Sequence, residues 1–117
     1  MLKVSDWKRA KEYYVAAFAP LGYELILDNP KIGGFAVQGS YNGRIYVAEV
    51  ENPGRCHIAL TAPSADAVKE YYETAIAKGG ADNGAPGYRA HFKPGGVGCF
   101  VIDLDDNNIE VVHHGGQ

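Results

Sequence analysis

The chain lacks several features that would place it quickly. There is no basic excess: 11 Lys and Arg against 14 Asp and Glu leave a formal net charge of −3. That balance argues against a nucleic-acid or polyanion binder, which carries a basic face. No apolar run approaches the roughly 20 residues needed to cross a bilayer, and no signal-peptide pattern opens the sequence, so neither membrane insertion nor export is expected. Cysteine is scarce. Cys56 and Cys99 are too few for a disulfide framework and read as buried thiols of a reducing compartment, which makes the cytoplasm the expected location. Nucleophile and phosphate signatures are missing as well: no Gly-x-Ser-x-Gly, no Walker loop, and no G-x-G-x-x-G after a strand. Cys56 adjoins His57, but neighbours on a strand face opposite ways and cannot form a dyad.

What the chain has is glycine, 15 residues of 117, against an average usage of about 7%. With alternating apolar runs, that predicts many short strands joined by tight turns. Two segments read as helices. The first starts at Ser5 or Asp6, carries Trp7, Ala10, Tyr14, Ala17, Phe18 and Leu21 as one apolar stripe, and closes at Pro20 and Gly22. The second starts at Ser64, carries Val68, Tyr72, Ala75 and Ile76, and ends at Gly79-Gly80. Strands are expected at 22–27, 34–38, 44–50, 56–61, 99–104 and 108–113. Asn42-Gly43 marks a hairpin turn, since both central positions of the favoured turn need φ > 0. The stretch 82–98 is long for a plain connection, and long ordered loops are often functional.

The two halves repeat. Lys11-Glu12-Tyr13-Tyr14 recurs as Lys69-Glu70-Tyr71-Tyr72, 58 residues on, each copy on a helix preceded by a strand and a polar cap. This favours a duplicated strand–helix–strands module within one domain of 1–117, module one spanning about 1–52 and module two about 53–117.

Among polar residues, His57 shares its predicted face with the small Ala59 and Thr61, as a cavity wall would. Glu110 sits in mid-strand between Ile109 and Val111, which point the other way. An imidazole and a carboxylate on two strands suit a divalent metal of N/O preference, though a catalytic zinc ordinarily takes three protein ligands. The repeat offset places the counterpart of His57 just upstream of Met1. It places that of Glu110 at Asn52, with Glu49 and Glu51 within loop slippage. Arg89, His91 and Lys93 lie in a Gly/Pro-rich loop and suit an anionic or carbonyl-bearing substrate. Asp103 and Asp105-Asp106 read as turn chemistry, His113 and His114 as a solvated tail, and Tyr13, Tyr14, Tyr71 and Tyr72 as packing residues.

Several segments resemble the vicinal-oxygen-chelate superfamily (glyoxalase/bleomycin-resistance/dioxygenase proteins), in its small single-domain glyoxalase-like subgroup. They are Val4-Ser5-Asp6 leading into a helix that ends Ala19-Pro20-Leu21-Gly22-Tyr23, Cys56-His57-Ile58-Ala59-Leu60, 81–87, and Asp105-Asp106-Asn107-Asn108-Ile109-Glu110. The resemblance covers nearly the whole chain. It implies an α+β fold of two βαβββ modules whose mixed sheet curls around a cleft, here with a shortened first strand, commonly in a homodimer.

The resemblance also implies metal ligands on the first and last strands of each module. His57 and Glu110 match two of these positions, and the first-strand histidine is expected upstream of Met1. The fourth position falls in the 44–50 strand, where Tyr46, Ala48 and Glu49 stay open and Glu49 is the carboxylate on offer. The implied function is a glyoxalase-like lyase or isomerase acting on a small carbonyl or hydroxy compound. Zinc, nickel, manganese or iron would be held by His57, Glu110 and Glu49, with Glu110 doubling as base. Tyr46, Arg89, His91, Lys93 and Phe100 would contact the substrate. Two alternatives stand beside it: a metal-free binder holding an aromatic compound against Tyr46, Phe92 and Phe100, and an iron-dependent dioxygenase. Neither nucleic acid nor membrane is an expected partner.

Overall fold

The computed structural model describes residues 2–37, 44–88 and 96–114. In chain order the elements are β1 (Leu2–Val4), α1 (Trp7–Phe18) running into a 3₁₀ turn (Ala19–Leu21), β2 (Tyr23–Asp28), β3 (Ile32–Val37) and β4 (Ile45–Glu49). Then come β5 (His57–Thr61), α2 (Ala65–Ala77), β6 (Ala81–Asp82), β7 (Gly87–Tyr88), β8 (Val97–Ile102) and β9 (Asn108–His113). Sheet one has the order β1-β4-β3-β2. Sheet two has the order β5-β9-β8-β6, with β7 also on β8. In each, the first and last strands run parallel and the others antiparallel. The duplicated α+β module is therefore present. Each module contributes its own mixed sheet, as the expected α+β fold of two βαβββ modules requires, and among the described residues the two sheets are not closed into one.

Both helices start where a short polar side chain can accept a free backbone N–H. Asp6 accepts from Arg9 N and Ser64 from Ala67 N, and these caps stand at equivalent points of the two repeats. Gly22, in the left-handed region at φ 90°, ends the first helical run. The second strand of module two is broken: β6 and β7 pair with different parts of β8, so what reads in the sequence as a loop carries two short strands.

One core draws on both modules. Trp7, Tyr13, Tyr14, Phe18 and Phe35 from module one meet Val68, Tyr71, Val101 and Ile109 from module two. Phe18 and Tyr71 stack at 6.5 Å. Tyr13 and Tyr71 lie outside the stripes expected from the sequence, yet both are fully buried, because the helices pack on each other as well as on the sheets. Gly33 is required by Trp7: a Cβ there would lie 2.0 Å from the indole ring.

A turn clips the modules together. Asp103 does turn chemistry from a buried position: it accepts from the N–H groups of Asp105 (2.9 Å) and Asn107 (2.8 Å) and also from the Tyr14 hydroxyl. Asn107 Nδ2 donates to the Lys3 carbonyl at 3.1 Å, and its Oδ1 accepts from Cys56 N at 2.9 Å. One asparagine thus bonds the edge of β1 and the entry to β5.

Burial, followed by the nearby Asp103 carboxylate, raises the Tyr13 and Tyr14 hydroxyls above their ordinary range; burial and then Tyr13 do so for Tyr71. Their folded pKa values lie above the unfolded value of about 10, so this stabilisation is complete below about pH 10 and is lost as the pH rises further. In an alkaline titration the tyrosinate absorbance of these three residues is expected to appear together with the loss of circular dichroism. Ionisation of all eight tyrosines in a still-folded chain would contradict this.

Candidate functional site

In each sheet one face packs on the helices and the other is left open by them. Register and alternation sort the residues of sheet two. Ile109, Val111, Cys99 and Val101 are fully buried on the helix side. His57, Ala59 and Thr61 on β5 line up with Asn108, Glu110 and Val112 on β9. Phe100 on β8 stands opposite Glu110, and Ile102 opposite Asn108. The open face therefore carries a row His57–Asn108–Ile102 beside a row Ala59–Glu110–Phe100.

The two chemically strongest candidates meet here. His57 Nε2 lies 3.2 Å from Glu110 Oε1. The His57 side chain is 55% exposed and that of Glu110 only 16%, so the carboxylate sits at the base of the pair with the imidazole at its rim. Ala59, lying opposite Glu110 on β5, presents only a methyl group and leaves space above the carboxylate. Beside the pair, Asn83 Nδ2 donates to Asn108 Oδ1 at 3.3 Å.

Glu49 is placed elsewhere. Its Oε1 accepts the backbone N–H of Trp7 at 2.9 Å, satisfying a free donor in the first turn of α1. It lines a cavity of about 420 Å³ with Ser5, Lys31, Val50, Glu51 and Asn52. No imidazole lines that cavity, and the His57–Glu110 pair lies outside it. Among the described residues no three His, Cys, Asp or Glu side chains converge in a way that could hold a metal ion. The three-ligand set His57, Glu110 and Glu49 is thus not assembled within the described part of one chain. The physical reason is that Glu49 is drawn to the helix terminus.

Register also corrects the repeat arithmetic. Leu2 pairs with Val47 in module one, and its counterpart Leu60 pairs with Val111 in module two. The residue matching Glu110 is therefore Tyr46, one before Val47, not Asn52 or Glu49. The constant offset fails because the second module has a longer run between its helix and its last strand. Tyr46 lies on the open face of sheet one, its ring over Gly34, where a Cβ would come within 3.0 Å of the ring. It and Phe100 thus belong to different sheets. His113 is not a free tail but the last residue of β9, half-buried, with Nδ1 3.3 Å from the Ala62 carbonyl. Arg89, His91, Phe92 and Lys93 lie outside the described residues. Burial raises the Cys56 thiol above its ordinary range, and both cysteines are free.

Asn108 and Asn83 were not singled out by sequence reasoning. Asn108 could have been found by alternation, two residues before Glu110 on one strand. Asn83 could not, since it reaches the site only because β6 pairs with β8.

Comparison with known proteins fits this geometry. No family model and no curated protein matches the sequence. Solved structures do. A glyoxalase/bleomycin resistance protein from Albidiferax ferrireducens superposes with a TM-score of 0.81 at 22% identity, covering 97% of this chain and 93% of that one. A fosfomycin resistance protein from Listeria monocytogenes, solved with manganese(II) and a dihydroxypropylphosphonic acid, gives 0.69 at 23% identity, covering 99% and 86%. A lactoylglutathione lyase from Agrobacterium tumefaciens gives 0.67 at 16%, covering 96% and 88%. The fold is that of the glyoxalase/bleomycin-resistance/dioxygenase proteins, the vicinal-oxygen-chelate fold.

Because Glu49 serves the helix rather than the pair, Glu49→Ala is expected to destabilise the fold by about 1 kcal/mol, as for loss of a helix-capping acceptor. The chemical shifts of His57 and Glu110 should stay unchanged. Chemical denaturation and NMR check both halves; an unchanged stability with displaced His57 signals would reverse the assignment.

Proposed function

We propose that this chain is a small-molecule-binding protein of the glyoxalase/bleomycin-resistance type, taking its ligand on the open face of sheet two over His57 and Glu110. The observation that carries the proposal is the 3.2 Å contact between those side chains. It sits on a face that also offers an aromatic ring at Phe100 and open space above Ala59. A buried-edge carboxylate held by an imidazole accepts a hydrogen bond or a proton from a ligand hydroxyl or N–H group, while Phe100 contributes apolar contact. Arg89, His91 and Lys93 follow β7 in the chain and stay part of the proposal as contacts for an anionic or carbonyl end. Tyr46, on the other sheet, is proposed to contact ligand only where the two sheets are brought face to face. Among the described residues no helix is long and apolar enough to cross a membrane, and the free thiols suit a reducing, cytoplasmic setting.

A second reading, a divalent-metal-dependent lyase or isomerase, is favoured by the donor types. One imidazole nitrogen and one carboxylate oxygen within 3.2 Å of each other are two ligands of a mixed N/O centre. Two are too few, and the described residues bring no third, so in this reading the further donors come from a second copy of the chain in a homodimer or from outside the described residues. β1 is an edge strand of sheet one, and such a copy could pair along it. When bound, the ion would polarise a carbonyl or hydroxyl oxygen. In this reading Glu110 is the group that takes the proton. Iron-dependent ring cleavage needs a second histidine beside the pair, and the described residues bring none.

Metal analysis of protein purified without chelator separates the readings. The first predicts less than stoichiometric metal, and binding of planar aromatic ligands that survives chelator and is lost in His57→Ala. Stoichiometric divalent metal that disappears in His57→Ala, carried by a dimer in size-exclusion chromatography, would overturn the first reading in favour of the second.

A further inference from the structure

Beside the His57–Glu110 pair lies a polar group that neither reading uses. Asn108 and Glu110 are two apart on β9, so both project from the open face, roughly 6.6–6.8 Å apart along the strand, while Ile109 between them is fully buried. Asn108 is the register partner of His57 on one side and of Ile102 on the other. Its amide is oriented from a third direction: Asn83 Nδ2 donates to Asn108 Oδ1 at 3.3 Å.

Asn83 is itself fixed. Its backbone N–H donates to the Phe100 carbonyl at 3.0 Å, and the Phe100 N–H donates to the Gly84 carbonyl at 2.8 Å. Asp82 Oδ1 accepts from Gly84 N at 2.9 Å and closes the turn. With its oxygen engaged, Asn108 has its NH₂ group left as a donor without a partner among the described residues. Glu110 has one oxygen on His57 and the other available as an acceptor.

The open face thus presents a donor at Asn108 and an acceptor at Glu110, with the Phe100 ring beside the acceptor. We infer that Asn108, oriented by Asn83, is the specificity-determining residue of this site. It selects planar ligands whose edge places a carbonyl oxygen next to an N–H, the edge of a cyclic amide. The carbonyl would accept from Asn108 Nδ2, the N–H would donate to Glu110, and the flat body would lie along Phe100. A ligand with two acceptors would set a lone pair against the carboxylate, and one with two donors would leave an N–H facing the Asn108 NH₂. Either mismatch leaves polar groups unpaired. This inference rests on the reading of the open face as the ligand site. Asn83 is a positioning residue, acting only through Asn108.

The probes are 2-pyridone, a cyclic amide, and 1,2-diaminobenzene, a planar ring, uncharged at neutral pH, whose edge offers two adjacent N–H donors. Each is titrated into the full-length, ¹⁵N-labelled, chelator-treated protein and followed by NMR. The wild type is expected to prefer 2-pyridone by about tenfold, the scale of one well-placed hydrogen bond. Asn108→Asp keeps the shape and the bond from Asn83 but turns the donor into a second acceptor. It is expected to reverse the preference, also by about tenfold. Asn83→Ala is expected to shrink the preference without reversing it, a result that loss of folding would not produce.

If Asn108→Asp leaves the preference unchanged while Glu110→Gln weakens both probes, the inference about Asn108 is overturned and the open-face reading stands. If neither probe perturbs residues 57–61 or 108–112, the inference is likewise overturned. The open-face reading is then judged separately, by whether chemically unrelated fragments perturb the same residues.

Discussion

The candidate site depends on one constraint, the parallel pairing of β5 with β9 in a single register. His57 lies opposite Asn108 and Ala59 opposite Glu110. A slip of one residue would turn His57 into the core and bring Ile58 to the open face. Three bonds outside the ladder pin that register. Asn108 N donates to the Cys56 carbonyl, Ala62 N donates to the Val112 carbonyl, and Asn107 Oδ1 accepts from Cys56 N. Asn107 also bonds to Lys3 of the first module, so the same residue ties the placement of His57 to the assembly of the two halves. The buried Asp103, holding Tyr14 and the Asn107 backbone, supports that joint from below.

The duplicated modules share their backbone plan and differ in what they show on it. At matched positions module one has Tyr46 lying over Gly34, and module two has Glu110 beside Phe100. Glu49, near the end of the first copy, satisfies a helix terminus, and His113, its counterpart beyond Val111, turns to the Ala62 carbonyl. The imidazole–carboxylate pair therefore stands on one sheet, and the matched position of the other carries a phenol ring. An asymmetric site on a nearly symmetric scaffold is what a doubled module yields once one copy is free to change.

Much of this was legible in the sequence. The caps Asp6 and Ser64, the repeated Lys-Glu-Tyr-Tyr and the alternation around His57 and Glu110 are local signals, and each marks its element to within a residue or two. The pair itself was legible as two residues but not as a contact, since the parallel register of strands about fifty positions apart is set by tertiary packing. The bond from Glu49 to the start of α1 has no sequence signal, because a constant repeat offset says nothing about insertions and strand alternation says nothing about which distant N–H a side chain meets. Asp103 reads as a turn residue, yet it is buried against Tyr14 through a contact far away in the chain. Asn83 could not be found at all, because a broken strand two residues long leaves no periodic trace.

The central claim is that the open face of sheet two, and not the cavity at the start of α1, is where this protein meets its ligand. The most direct test is an amide-resolved NMR map of the ¹⁵N-labelled protein against a mixed library of small aromatic and carbonyl-bearing fragments. The account predicts that perturbed signals cluster at 57–61, 98–102 and 108–112. Perturbations gathered instead around Ser5, Lys31 and Glu49 would contradict it.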